Sequence, residues 1–426
     1  MSSLVSKDST DIKTLDDFVS LQRGTTYKGP LVGEPGPALL GLGSIEPGGG
    51  FREGHYKTYG GDCPANLMLF PGDLYVSLKG ATKDGTMIGS VARVPETVSS
   101  GRLTQDTVKL EFRNSDPEEV NYLYWVLRTP QYRTYCANRA TGSAVVALSR
   151  QDFLDYPVPP RNSTRKNLGL FEGIDRKISN LHQQNETLES IAQTLFKHWF
   201  VDFEFPNEDG KPYKSSGGAM VRSDLGDIPV GWTFGKMEDV IEVRDGTHDS
   251  PKQTDTGFHL ITSKHLKKGS IDFESTYLIS ESDYVEVNKR SKVDTYDILL
   301  SMIGTIGLLC FVMDEKINFA IKNIGLFKTS KNLDYAEYIF LSLSSTYGSE
   351  YFRTRLAGTT QSYLTLRSLR EMPLIVPNKE VLLGFKKVAK AIFRKSHAHK
   401  QQIQTLTQTR DRLLPKLMSG QLRIPE

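Results

Sequence analysis

At 426 residues the chain is too long for one ordinary domain, and two or three are expected. With 38% hydrophobic and 24% charged residues it reads as soluble and globular, and a net charge of +3 neither demands nor excludes nucleic acid. Its three cysteines (Cys63, Cys136, Cys310) are scattered and odd in number, which excludes a disulfide framework and a zinc spacing and fits a reducing cytoplasm.

The opening "MSSLVSKDSTDIKTLDDF" is polar and lacks an apolar core, so export is not expected. No apolar run approaches the roughly 20 residues that span a bilayer, so no membrane is expected. Short apolar runs broken by Gly, Pro and Asp turns follow, among them "NLMLFPGDLYVSL", and predict strands. One helix is expected over "PEEVNYLYWVLRTPQYRTYCANRA" (117–140), and a long helix over 165–200 that ends in "AQTLFKHWFVDFEF". Beyond a linker, strands recur at "FHLITS" and "YDILLSMIGTIGLLCFVM", with one helix over "YAEYIFLSLSSTYGSEYFRTRLA" (335–357). A final long helix ends in "TRDRLLPKLMSGQLRI". The expected segments are a first domain 1–163, a helix 164–205, a linker 206–224, a second domain 225–380 and a closing helix 381–426.

The two halves repeat one another. Gln183-Gln184 aligns with Gln401-Gln402, and the same offset sets Thr187, Leu188 and Leu195 on Thr405, Leu406 and Leu413. Upstream, Gly142 falls on Gly358, Pro157 on Pro373, Asp73 on Asp297, Gly80 on Gly304, Gly24 on Gly246 and Gly36 on Gly257. Landmarks in one order with a nearly constant offset indicate a tandem duplication, and its period far exceeds the roughly 20–50 residues of a solenoid repeat. Each half is a mixed α+β module followed by a long helix, with function expected on its loops.

Along the first long helix apolar residues step by four and three through Ile174, Ile178, Leu181, Asn185, Leu188, Ala192, Leu195 and Trp199. The second gives Phe385, Val388, Ile392, Ser396, His399, Ile403, Leu406, Arg410, Leu413 and Leu417. These heptads predict that the helices pair as an antiparallel coiled coil, with Phe196 and Phe200 off the seam. A helix over 165–200 would be roughly 50 Å long at about 1.5 Å per residue. Two modules at a fixed separation suit an extended, bipartite target such as duplex DNA read at two half-sites.

The chain shows no chemistry of its own. An amino-methyltransferase loop needs Asp/Asn-Pro-Pro-Tyr/Phe, and Val158-Pro159-Pro160-Arg161 lacks both flanks. The string "GATKDGTM" (80–87) has P-loop glycine spacing, but Thr86 and Met87 stand where Lys and Ser/Thr are required. His248 between Asp245 and Asp249 invites a metal or general-base reading, but the first copy has Arg23-Gly24-Thr25-Thr26 there. A turn or a DNA-touching loop is expected instead. His397 and His399 sit two apart on a helix, a poor ligand pair. No catalytic or metal residues are therefore assigned.

"AQTLFKHWFVDFEFP" and "RDRLLPKLMSGQLRI" resemble the central and C-terminal conserved regions of specificity subunits of type I restriction–modification systems. "LGDIPVGWTFGKMEDV" (225–240) and "DGTHDSPKQTDTGFHLITSKHLKKGSIDF" (245–273) resemble the opening of their second target-recognition domain. The resemblance covers essentially the whole chain. It implies two target-recognition domains, each reading half of a split, asymmetric sequence in double-stranded DNA. It implies helices that act as a ruler and dock two modification (methyltransferase) subunits. S-adenosylmethionine would belong to those subunits, ATP and Mg²⁺ to restriction/translocase subunits, and no cofactor to this chain, in a bacterial or archaeal cytoplasm. A coiled-coil scaffold with two protein-binding modules is the alternative.

Contacts to DNA call for Lys/Arg, hydroxyls and amides on protruding loops. The first module offers Ser77, Lys79, Thr82 and Lys83, and Ser143 after Arg133 and Arg139. The second offers Ser301 and Thr305, and Thr359, Thr360 and Gln361 after Arg353 and Arg355. Relatives commonly carry a basic residue in the 301–305 loop, where Met302 and Ile303 stand here and would meet a thymine methyl or pack. The Thr141-Gly142-Ser143 and Gly358-Thr359-Thr360 strings are expected to lead into helix starts. Lys264, Lys267 and Lys268 make a further basic loop. From Phe385 to Lys416 there are nine Lys/Arg and one Asp, which places the closing helix nearer DNA or an acidic partner.

Overall fold

The computed structural model describes residues 13–54, 56–80, 86–142, 146–161, 165–223, 226–358 and 361–422. No helix among them is long and apolar enough to cross a membrane. The chain forms two compact units, and the division falls inside both long helices, at Leu181/His182 and at Gln401/Gln402. The end of the closing helix thus belongs to the first unit.

In the first unit, strands β1 (Val19–Arg23), β2 (Ala38–Leu40), β3 (Met68–Leu69), β4 (Leu74–Ser77), β5 (Val91–Arg93), β6 (Gly101–Leu103) and β7 (Thr107–Phe112) precede the helices. They make an antiparallel sheet in the order β1-β7-β4-β5 and a smaller sheet β2-β6-β3 with β2 and β6 parallel. Next come α1 (Pro117–Val126), α2 (Pro130–Arg139), α3 (Arg150–Leu154) and the long α4 (Arg165–Phe200).

In the second unit the strands are β8 (Met220–Ser223), β9 (Gly226–Pro229) and β10 (Thr233–Lys236), then α5 (Met237–Val240) and β11 (Val243–Asp245). Strands β12 (Phe258–Thr262), β13 (Leu266–Lys267), β14 (Ser270–Ile271) and β15 (Tyr277–Ile279) follow, then α6 (Glu281–Ser291). Strands β16 (Ile298–Ser301), β17 (Leu309–Phe311), β18 (Phe319–Lys322) and β19 (Ile324–Phe327) lead to α7 (Ala336–Ser344), α8 (Thr346–Thr354), α9 (Leu366–Arg370), β20 (Pro373–Val376) and α10 (Lys379–Met418). Its main sheet, β11-β19-β16-β17, repeats the first unit's order, and β12 runs parallel to β18 as β2 does to β6.

The central strands β4 and β16 are buried along their whole length. Leu74 and Val76 join the core that holds Trp125 and Phe153, while Tyr75 points to the opposite face with Leu69 and Leu103. Ile298 and Leu300 likewise share a core with Phe327 and Leu369, and Leu299 faces Ile261 and Ile321. Burial on both faces accounts for the unbroken apolar runs at these positions.

Each single mid-module helix expected from sequence is in fact a pair. The Thr129 hydroxyl caps α2, and Pro130 cannot continue the hydrogen bonding of α1. In the second unit Ser345 caps α8 by accepting from the Gly348 N–H.

The long helices pair within each unit. In the second unit Asn185 meets His399 at 3.0 Å and Trp199 meets Phe385 at 5.8 Å between ring centres, so the helices run antiparallel. Leu188, Leu195, Trp199 and Ile392 are half-buried on this seam, whereas Ala192, Phe385 and Ala389 are buried. Val388 departs from expectation and is 45% exposed, because a step of four from Phe385 brings Ala389 inward instead. Phe196 and Phe200, expected off the seam, are buried and pack on Tyr338, with Phe200 also on Trp232, and both also contact the seam residue Phe385. In the first unit Ile174, Leu181 and Leu417 are buried, and Ile178, Ile403, Leu406 and Leu413 half-buried.

Candidate nucleic-acid interface

In each unit, the loop after the central strand is laced to the loop after the second helix of the pair. Lys79 and Thr141 both bridge to Ala147, and the Gly80 N–H donates to the Val146 carbonyl at 2.8 Å. In the second unit Ile303 and Ala357 both bridge to Tyr363, and the Leu364 N–H donates to the Met302 carbonyl at 2.9 Å. Candidate loops that lie far apart in sequence thus form one surface in each unit. The Thr141 and Gly358 strings do not lead into helix starts: α3 and α9 begin later, at the capping residues Ser149 and Thr365.

Several expected contact residues face inward. Ser77 and Ser301 are fully buried, and their hydroxyls donate to the carbonyls of Lys79 at 2.5 Å and Thr305 at 2.6 Å. They shape the loops from beneath and cannot reach a base. Arg133 is committed to the carbonyls of Thr86 and Ile88. Met302 is buried, which removes a thymine-methyl contact for it. Thr82, Lys83, Ser143, Thr359 and Thr360 lie outside the described residues.

The remaining candidates face solvent. Lys79 pairs with Asp106 at 3.1 Å, and Arg139 pairs with Asp152 at 3.2 Å over the Tyr135 ring. Arg353 lies 3.6 Å from Glu350, Arg355 stacks over Tyr351, and Thr305 and Gln361 are exposed. Lys264 is exposed with no ion pair among the described residues, Lys267 lies 3.8 Å from Asp272, and Lys268 pairs with Glu189 of α4 at 2.9 Å. Exposed pairs of this kind contribute about 0–1 kcal/mol and leave the cations free to exchange a carboxylate for a phosphate.

A second element is the loop around His248 and its counterpart at 23–26, expected from the sequence to be a turn or a DNA-touching loop. Gly24 and Gly246 sit where a Cβ would meet the Thr104 carbonyl oxygen at 1.9 Å and the Ile321 carbonyl oxygen at 2.6 Å. Only glycine lets each Gly-Thr loop lie this close to the turn that joins the two sheets. The following threonines, Thr25 and Thr247, make equivalent parallel bridges to Thr104 and Lys322. In the first unit, Arg23, Gly24, Thr25, Thr26, Lys79 and Gln105 line a cleft of about 390 Å³. Buried Arg102 holds it from below, donating to the Thr25 hydroxyl at 3.1 Å, the Thr26 carbonyl at 3.0 Å and the Asp62 carbonyl at 2.9 Å. The repeated Gly-Thr dipeptide was the signal in the sequence.

In the second unit Asp245 is buried, pairs with Arg290 and lies 3.2 Å from His248 Nε2, while His248 Nδ1 meets Asn323 at 2.7 Å. His248 is thus fixed in a loop-to-turn contact. Among the described residues no group of three or more His, Cys, Asp or Glu could hold a metal.

Two copies of one mixed module, each packed on paired long helices and each ending in laced, cation-bearing loops, define a class of duplicated recognition proteins. The family described as "Type I restriction modification DNA specificity domain" matches residues 229–411. The chain is 27% identical over 357 residues to the type I restriction enzyme MjaIX specificity subunit of Methanocaldococcus jannaschii, covering 79% of this chain and 75% of that one. It is 22% identical over 367 residues to the HindI specificity subunit of Haemophilus influenzae, covering 72% and 77%. Its fold is similar to the crystal structure of a type I restriction–modification S subunit from M. genitalium, with TM-score 0.53, 14% identity and coverage of 97% and 98%. The chain is thus similar, over 72–79% of its length, to specificity subunits of type I restriction–modification systems. Members of this family provide the DNA sequence specificity of a complex whose methyltransferase and restriction activities reside on other subunits.

Proposed function

We propose that each unit reads one half of a bipartite, asymmetric DNA site, and that the paired helices α4 and α10 set the spacer between the halves. The observation that carries this reading is the repeated sheet order, β1-β7-β4-β5 and β11-β19-β16-β17, with the same pair of loops laced in each copy. The laced loops carry Lys79 in one unit and Thr305, Arg355 and Gln361 in the other, with Arg139 and Arg353 at the ends of the helices before them. Lys264, Lys267 and Lys268 add a basic loop. These side chains engage phosphates and position the duplex, because affinity for DNA is largely electrostatic.

The helices dock two modification subunits, which supply S-adenosylmethionine and adenine-N6 methylation. Restriction subunits supply ATP- and Mg²⁺-dependent translocation and cleavage. The complex works in a bacterial or archaeal cytoplasm. The test is mapping of N6-methyladenine across the genome of cells that express this chain with its modification subunit. A bipartite adenine motif with an unspecified spacer is expected, and a continuous motif or none would overturn the proposal.

A further inference from the structure

We infer that the Gly-Thr loop and the inter-sheet turn it rests on form the base-reading element of each unit, with Arg23 and Gln105 reading one half-site and His248 and Asn323 the other. This rests on the two-unit DNA reading above and assigns specificity to residues outside the laced-loop candidates.

The equivalence follows from backbone pairing. Gly24 and Gly246 donate to Thr107 and Ile324 carbonyls at 3.2 and 2.8 Å, and the threonines after them bridge to Thr104 and Lys322. Arg23 therefore corresponds to Asp245 and Thr26 to His248, and the turn that holds Gln105 corresponds to the shorter one that holds Asn323. Lys79 corresponds to Ile303, since these bridge to Ala147 and Tyr363. The scaffold and its Gly-Thr dipeptide are shared, while the flanking side chains change. This is the pattern expected where backbone is fixed by packing and side chains are set by the target.

In the first unit the element is cationic and open. Arg23 is exposed, and among the described residues no hydrogen bond or ion pair engages its guanidinium. Gln105 is exposed across the cleft from it. A free guanidinium fits the O6/N7 edge of guanine, and a carboxamide fits the N6/N7 edge of adenine. Buried Arg102 fixes the intervening backbone, so the reading groups are presented from a rigid support.

In the second unit the equivalent acid, Asp245, pairs with Arg290 and lies against His248, and Ile303 stands where Lys79 would be. What faces outward is the polar pair His248–Asn323, held at 2.7 Å with Asn323 in a left-handed conformation at φ 53°. That pair offers an imidazole and a carboxamide where the first unit offers a guanidinium, so the two units would read different base edges.

The experiment maps N6-methyladenine in cells co-expressing the modification subunit with the wild-type full chain or with Arg23→Ala, Gln105→Ala, His248→Ala or Asn323→Ala. Arg23→Ala and Gln105→Ala are expected to relax base preference at one or two positions of one half-site, roughly 5- to 150-fold, leaving the other half intact. His248→Ala and Asn323→Ala are expected to do the same in the other half only. An unchanged motif in all four variants overturns the inference while the bipartite wild-type motif keeps the underlying reading. Loss of both halves together in the variants overturns it too, since that marks a general structural role. A wild-type complex with no bipartite motif overturns the reading and this inference with it.

Discussion

Asp175 on α4 accepts from Arg410 on α10 at 2.8 Å, and its second oxygen accepts from Arg128, whose side chain is 3% exposed. One carboxylate thus joins the two helices of the first unit to the recognition module beside them. Removing one partner of a buried pair strands the others, at a cost of about 3–5 kcal/mol. Asp175→Ala is expected to lower stability by that order in denaturant unfolding, with Arg410→Met milder because Arg128 keeps its partner.

The same group sets an acid limit. Burial raises the Asp175 carboxyl, but Arg128 and Arg410 outweigh it and hold the group below the ordinary carboxylate value. Its stabilising contribution is therefore complete above the unfolded value, near pH 4, and is lost as pH falls through the folded one. Melting temperature followed from pH 6 downward should fall less steeply in Asp175→Asn than in the wild type.

The ammonium of Lys328, 2% exposed, serves Asp294 at 2.7 Å and fully buried Asp297. Lys328→Met leaves Asp297 without its charge partner and should cost about 3–5 kcal/mol. The loss should be read by hydrogen exchange as lowered protection in β16 and β19, with the first unit's strands unchanged.

A Cβ at Gly24 would lie 1.9 Å from the Thr104 carbonyl, so Gly24→Ala must push the Gly-Thr loop off the inter-sheet turn. Overpacking of this kind costs about 1–3 kcal/mol. Exchange protection in β6 and β7 should fall, and a variant as protected as the wild type would contradict the close approach.

Lys264 is exposed and without an ion pair among the described residues. Lys264→Ala should weaken the assembled complex on duplexes of any sequence alike. It should also lower the slope of log affinity against log salt by about 1, measured by anisotropy between 50 and 200 mM salt.

Periodicity and repetition in the sequence determined the duplication, the α+β modules, the long helices and their heptads. Those features are local or repeat at a fixed offset, so one dimension records them: Asp73 on Asp297 and Gly24 on Gly246 needed no structure. What the tertiary structure decided depends on groups brought together from distant segments. Ser77 and Ser301, both serines beside basic loops, turned out to be buried struts because β4 and β16 are covered on both faces. The end of α10 joined the first unit because Arg410 lies against Asp175 across most of the chain. The Gly-Thr loops became a site only once Thr104 and Lys322 were seen beneath them, since a cleft is made by backbone pairing between residues that no spacing rule connects.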